Sequence, residues 1–277
     1  MRIRESQRAM GNLVTMDDLS NDDIVSILDD AERLVPVAKG DILLPLLQGK
    51  VLANMFFENS TRTRMSFETA MKRLGGSVLN FSSVGTSVSK GETLYDTMQM
   101  IDGYADIAAI RHPRQGAAQY SADAVEIPIL NAGDGAGNHP TQTMLDLFTI
   151  RQSHGKLDGL NVVLVGDLRY GRTVHSLSHA LVRFGASLTL VSPSSLKMPA
   201  EIVSDLKSHG ADVTETESLD GQISEADVIY MTRIQKERFP DEEEYSKVAG
   251  IYRIEASSLV GAKKGMIIMH PLPRVAE

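Results

Sequence analysis

Val51-Leu52-Ala53-Asn54-Met55-Phe56-Phe57-Glu58-Asn59-Ser60-Thr61-Arg62-Thr63-Arg64 runs from an apolar segment straight into a cluster of hydroxyls and arginines. The pattern predicts a buried strand over 51–56. Phe67, Ala70, Met71 and Leu74 then recur at i, i+3, i+4 and i+7, the stripe of a core-facing helix, with Ser60 as N-cap and Gly75-Gly76 as stop signal. A helix built for stability alone carries acidic residues in its first turn, where free N–H groups hold partial positive charge. Arg62 and Arg64 occupy that turn instead, an arrangement suited to a bound anion such as phosphate. The bland alternative is a pair of arginines on a solvated face, and the other strand ends weigh against it.

Working outward, strands are predicted near 51–56, 78–81, 106–110 and 127–130, after an acid-rich helix at roughly 20–34. A second series follows near 161–165, 187–191, 228–232 and 266–269. Strands alternating with helical patterns imply parallel sheets with helices on both faces. Between the series, Pro140 begins a helical segment, 141–151, with Met144, Leu145, Leu147, Phe148 and Ile150 around most of its circumference, which predicts burial between two domains. The expected fold is therefore α/β, with two domains over 1–139 and 140–277. Each is a mostly parallel sheet flanked by helices, and the active site lies in the cleft between them.

Polar motifs fall almost entirely at the carboxyl ends of the predicted strands, where open α/β sheets gather ligands. They are Ser60 and its neighbours, Ser87 to Lys90, Arg111-His112-Pro113, Asn131 with His139-Pro140-Thr141-Gln142, residues 167–172, Arg233 to Gln235, and His270-Pro271-Leu272-Pro273. Singly, each has an ordinary structural reading as a turn, a cap or a surface pair. Together they make seven segments on one kind of edge, five of them bearing arginine or lysine, in a chain of net charge −8.

The composition narrows the chemistry further. At 277 residues and 42% apolar content the chain can bury a sizeable core. Its acidity argues against a broad nucleic-acid surface. No apolar run approaches the roughly 18 residues of a membrane span, and Met1-Arg2-Ile3-Arg4 leads into polar sequence, so cytoplasmic residence is expected. The absence of cysteine excludes disulfides, thiolate zinc sites and a cysteine nucleophile. Among seven histidines, His175 and His179 stand at i, i+4 but lack the adjacent glutamate of a zinc-protease helix, so no metal site and no cofactor are expected. Gly166-Asp167-Leu168-Arg169-Tyr170-Gly171-Arg172 has the glycine spacing of a phosphate loop, yet arginine replaces its lysine. The dinucleotide pattern is missing too, with no acidic residue after Val191 to hold a ribose. Arginine's planar fork suits a carboxylate better.

These motifs resemble those of the carbamoyltransferases, from about Asp18 to the last residues. Phe57-Glu58-Asn59-Ser60-Thr61-Arg62-Thr63-Arg64-Met65-Ser66-Phe67-Glu68 is similar to a stretch shared across that family. The aspartate branch is indicated by Lys90-Gly91-Glu92-Thr93, Arg111-His112-Pro113, Asn131-Ala132-Gly133-Asp134-Gly135, His139-Pro140-Thr141-Gln142, Met231-Thr232-Arg233-Ile234-Gln235 and His270-Pro271-Leu272-Pro273. The ornithine branch is expected to place a cysteine in its corresponding His-Pro and His-x-Leu-Pro loops, and this chain has none.

The resemblance implies transfer of the carbamoyl group of carbamoyl phosphate to the amino group of L-aspartate, in pyrimidine biosynthesis. It assigns carbamoyl phosphate to the first domain and aspartate to the second. Ser60, Thr61, Arg62, Thr63, Arg111, His139, Gln142, Leu272 and Pro273 would bind carbamoyl phosphate, while Lys90, Arg172, Arg233 and Gln235 would bind aspartate. Thr63, Arg111, His139 and Lys90 would carry catalysis. Arg62 is the expected direct phosphate contact, with Arg64 organising the site from behind it. Ser87, rather than Ser89, and Lys90 would reach a neighbouring subunit's site in a homotrimer with shared active sites. Some relatives add a separate zinc-containing regulatory chain, and the sequence does not decide for or against one. Relatives also continue into a helix beyond the position matching Glu277, and its absence from this sequence would expose apolar surface on the first domain. Two other readings stay open: a non-enzymatic protein that binds phosphate or dicarboxylates, and a carbamoyltransferase acting on an acylated amino acid.

Overall fold

The computed structural model describes residues 11–82, 87–135, 137–234, 239 and 241–274. The chain divides into two compact units, one ending at Thr141 and the other beginning at Gln142.

In the first unit, helix α1 (Asn21–Lys39) starts at a reciprocal capping box. The Ser20 hydroxyl accepts from the Asp23 N–H at 3.1 Å, and the Asp23 carboxylate accepts from the Ser20 N–H at 2.9 Å. The helix outruns its predicted end, passing through Pro36 to stop at Gly40, whose φ of 87° suits glycine. The sheet has strands β1 (Val51–Phe56), β2 (Ser77–Ser82), β3 (Ile107–His112) and β4 (Ile129–Asp134), paired in the order β2-β1-β3-β4 and parallel throughout.

Alternation along the strands sends neighbouring residues to opposite faces. Ala53 and Met55 of β1, with Ala108 and Ile110 of β3, pack with Met98 and Ile101 of α3 (Leu94–Asp102) and Ala118 and Ala122 of α4 (Ala117–Ala124). Leu52 and Ala109 pack with Met71 and Phe67 of α2 (Thr61–Arg73) on the other face. The predicted stripe of α2 is thus only partly buried. Met71 is inside, Phe67 and Leu74 are half-buried, and Ala70 is exposed. This helix packs on β1 and on β2, an edge strand with no described strand beyond it, and makes only slight further contact with α1 among the described elements.

The second unit begins within α5 (Pro140–His154). Its strands β5 (Asn161–Val165), β6 (Ser187–Val191), β7 (Val213–Thr216), β8 (Val228–Met231) and β9 (Ile267–Met269) form a parallel sheet in the order β7-β6-β5-β8-β9. Helices α6 (Arg172–Val182), α7 (Ala200–Ser208) and the short α8 (Glu242–Ser246) complete it. Strand β7 escapes a pattern search because Val-Thr-Glu-Thr has one apolar residue, enough for an edge but too little for a signal. The all-round burial predicted for α5 also fails. Leu145 is 58% exposed, whereas the carboxylate residue Asp146 is inside with Leu147 and Ile150.

Strand β5 lies between β6 and β8, and its end is tied to both. The Thr232 N–H donates to Val165 O at 2.8 Å, and the Gly166 N–H donates to Val191 O at 3.0 Å. Gly166 has φ 114°, and a Cβ there would run into the Thr232 carbonyl and lie 2.8 Å from its hydroxyl. Gly166→Ala is therefore expected to cost about 3 kcal/mol or more. Denaturant titration should show a lower midpoint at unchanged slope.

Candidate active site

Because every strand in each sheet is parallel to its neighbours, every carboxyl end in that sheet falls on one edge. On the first sheet, β1 leads to Ser60 and α2, β2 precedes the turn Ser87–Lys90, and β3 ends in Arg111 and His112. On the second, β5 leads through residues 166–171 to Arg172, β8 leads to Arg233, and β9 leads to His270, Leu272 and Pro273.

Ser60 is the N-cap of α2, as expected, but its side chain makes no capping hydrogen bond, and no acidic residue occupies the first turn. Thr61 and Arg62 are exposed there, with Thr63 half-buried. The Arg62 guanidinium forms no hydrogen bond or ion pair among the described residues. An uncapped helix N-terminus beside an unpaired guanidinium is an anion site by both dipole and charge. The turn is held over its strand by Asn54, buried on β1, whose Nδ2 donates to Arg64 O at 3.0 Å. Arg64 itself acts electrostatically on Glu68, one turn further along.

Arg111 belongs to β3 rather than to the loop predicted after it. It stands opposite Phe56 on β1 and at the register irregularity between β3 and β4. Such a bulge re-aims a side chain. Its Nη1 donates to Ala132 O at 3.3 Å, and its Nε lies 3.3 Å from the Glu58 carboxylate. Burial lowers the guanidinium's pKa, and the charge of Glu58 partly opposes that shift. His139 is buried just ahead of α5, with Nδ1 3.3 Å from the Thr141 hydroxyl.

Gln142, in the first turn of α5, donates Nε2 to Asp146 Oδ1 at 3.0 Å, and the Tyr230 hydroxyl of β8 donates to Asp146 Oδ2 at 2.8 Å. Burial lifts the Asp146 carboxyl from its ordinary 3.8 to about 7, against the two hydrogen bonds, which lower it. Arg172 opens α6 and Arg233 follows β8, both half-buried. The loop before Arg172 is braced by His175, whose Nε2 lies 2.8 Å from Leu168 O, and by Asp167, which accepts from the Tyr170 N–H at 2.9 Å. Burial presses the His175 pKa down. Leu272, at φ 59°, precedes a cis bond to Pro273, and its N–H donates to His270 Nδ1 at 2.8 Å. Lys90 is exposed; the side chain of Ser87 and the whole of Gln235 lie outside the described residues.

Glu58, Asn54, Asp146 and Tyr230 received no role from the sequence. Only Asp146 carried a signal, its i+4 spacing from Gln142 on a helix. Among the described residues, no cluster of three or more His, Asp or Glu side chains is arranged to hold a metal, and no helix is long and apolar enough to cross a membrane.

Two parallel α/β units with cations, hydroxyls and helix N-termini at the strand ends define a protein built to hold small anionic ligands. Residues 11–152 match the aspartate/ornithine carbamoyltransferase carbamoyl-P binding domain, residues 158–277 match the Asp/Orn binding domain, and the chain belongs to that family. It is 54% identical to the aspartate carbamoyltransferase catalytic subunit of Methanothermobacter thermautotrophicus, over 96% of this chain and 85% of the relative. The catalytic subunit of Archaeoglobus fulgidus is also 54% identical, over 97% and 89%. Among solved structures, the catalytic subunit of M. jannaschii aspartate transcarbamoylase aligns at TM-score 0.88 and 50% identity, over 96% of this chain and 87% of that one. The Trypanosoma cruzi enzyme in complex with carbamoyl phosphate and aspartate aligns at 0.90 and 41%, over 96% and 86%.

The titration of Asp146 has a definite sign. The folded carboxyl holds its proton up to about pH 7, while an unfolded one releases it near 3.8. This group's contribution to stability is thus complete below about pH 4 and is lost as pH rises through 7. Asp146→Asn removes the effect, so the melting temperature of the variant minus that of the parent should grow from pH 5 to pH 8. A flat difference in thermal melts would show that the carboxyl titrates normally.

Proposed function

We propose that the protein transfers the carbamoyl group of carbamoyl phosphate to the amino group of L-aspartate, giving N-carbamoyl-L-aspartate and phosphate for pyrimidine biosynthesis in the cytoplasm. The observation that carries this reading is the uncapped, acid-free first turn of α2 beside Arg62, together with Arg172 and Arg233 at neighbouring strand ends of the second sheet. A phosphate needs the first arrangement. A dicarboxylate needs two cations such as the second pair, whereas the ammonium of ornithine would call for acidic residues.

Ser60, Thr61, Arg62 and Thr63 hold the phosphate, with Arg111, His139, Gln142 and the backbone at Leu272 and Pro273 around the carbamoyl end. Arg172 and Arg233, helped by Lys90 and Gln235, hold the aspartate carboxylates. The amine attacks the carbamoyl carbon, a tetrahedral oxyanion forms, the bond to the phosphate oxygen breaks, and the departing phosphate takes the amine proton. No protein nucleophile is required. The protein supplies placement of two mutually repelling anions and donors for the oxyanion, Thr63, Arg111 and His139. His139 Nδ1 lies 3.3 Å from the Thr141 hydroxyl, and the tautomer protonated on Nε2 is the one that serves as a donor. Bulge placement and the Glu58 carboxylate give Arg111 a fixed direction before substrate arrives.

The first unit thus binds carbamoyl phosphate and the second binds aspartate. The assembly is a homotrimer in which Ser87 and Lys90 complete a neighbour's site, with no nucleic-acid or membrane partner. Native mass spectrometry distinguishes the bare trimer from a larger assembly containing a zinc-bearing regulatory chain.

Steady-state assays test the chemistry. Arg62→Ala should lower kcat/KM for carbamoyl phosphate by about 100-fold or more, consistent with the roughly 2.7–4 kcal/mol attached to one preorganised donor. Near-parental turnover would remove Arg62 from the phosphate site. Aspartate should be consumed in strong preference to ornithine and to acetylated amino acids, and equal consumption would overturn the roles of Arg172 and Arg233.

A further inference from the structure

Asp146 is an expensive residue to keep. Its carboxylate is buried in the second unit, and the groups acting on it are the Gln142 amide and the Tyr230 phenol, with no cation among them. Burying a carboxylate without a positive partner costs stability even when both oxygens accept hydrogen bonds. Packing alone would be served better by an apolar residue in its place.

The two hydrogen bonds lead in informative directions. Oδ1 accepts from Nε2 of Gln142, one helical turn back on α5. By accepting at Oδ1 the carboxyl engages the amino end of that amide and leaves its carbonyl oxygen turned away. Oδ2 accepts from Tyr230, fully buried on β8 three residues before Arg233. The side chain of Thr173, next to Arg172 in the first turn of α6, also acts on that phenol. One carboxylate therefore links α5, β8 and α6 at the ends that carry Gln142, Arg233 and Arg172.

We infer that Asp146 is a positioning residue for both substrates, fixing the Gln142 amide from one carboxylate oxygen and, through Tyr230 and Thr173, the helix turn bearing Arg172 from the other. The inference rests on the functional reading above, in which Gln142 serves carbamoyl phosphate and Arg172 serves aspartate. It makes the two arms separable. Removing the phenol cuts the Arg172 arm and leaves the Gln142 arm in place, whereas changing the carboxylate cuts both.

The experiment is steady-state kinetics with each substrate varied, on the parent chain, Asp146→Asn and Tyr230→Phe, with thermal melts alongside. Asp146→Asn should lower kcat/KM for both substrates by about tenfold or more while remaining folded. Tyr230→Phe should raise KM for aspartate by about fivefold to tenfold and leave KM for carbamoyl phosphate within about twofold. The inference is overturned if Asp146→Asn stays within about twofold of the parent for both substrates. It is equally overturned if Tyr230→Phe shifts both KM values together, the mark of general loosening. Should Asp146→Asn fail to fold, the split in Tyr230→Phe decides alone. A parent chain that forms no carbamoyl aspartate would overturn the functional reading and this inference with it, an outcome distinct from active parent and unaffected variants.

Discussion

Parallel pairing is the constraint on which the rest of the structure depends. A parallel strand must be reached by a crossover, and the crossovers here are largely helices whose N-termini follow the carboxyl ends of strands. Each sheet therefore has one edge where backbone N–H groups and helix dipoles are concentrated. Ligand chemistry placed anywhere else would lose those fixed partial charges. Arg62, Arg111, Arg172 and Arg233 stand at these edges in an acidic chain, where they reinforce a field that the backbone already supplies.

Holding such edges rigid falls to residues outside the set expected to bind ligands. Asn54 reaches from β1 to the carbonyl of Arg64, and Glu58 holds Arg111 at a bulge. The close approach of Gly166 to Thr232 brings the loops of Arg172 and Arg233 together, a contact that any side chain at 166 would block. Each device spends a polar or strained group inside the protein. That cost is offset by the hydrophobic burial of alternating strand residues on both sheet faces, which needs no such precision.

Strand positions and the start of α2 were legible because they depend on local pattern. Ser60 marked a helix start, and largely apolar runs of four to six residues marked strands. Edges were harder. Strand β7 has a single apolar residue, and α2 shows a full apolar stripe that β2, lying at the edge, only half covers. The exposed Leu145 and buried Asp146 of α5 invert a hydropathy expectation. A helix contacts specific neighbours, and a carboxylate with two donors facing it can lie where a leucine was expected.

By itself, the sequence determined the class of fold, the residues at the strand ends and their chemistry, since side-chain periodicity and charge type are properties of the chain. Arg62, Arg111, His139, Arg172 and Arg233 could all be singled out before any coordinates. Only the tertiary structure decided which partners hold them: Glu58 on Arg111, Gly166 against Thr232, and Asp146 between Gln142 and Tyr230. Asp146 and Tyr230 lie 84 residues apart in the chain. The reason is that a hydrogen bond is set by distance and direction in space, and no periodicity in one strand or helix encodes which distant residue will meet it.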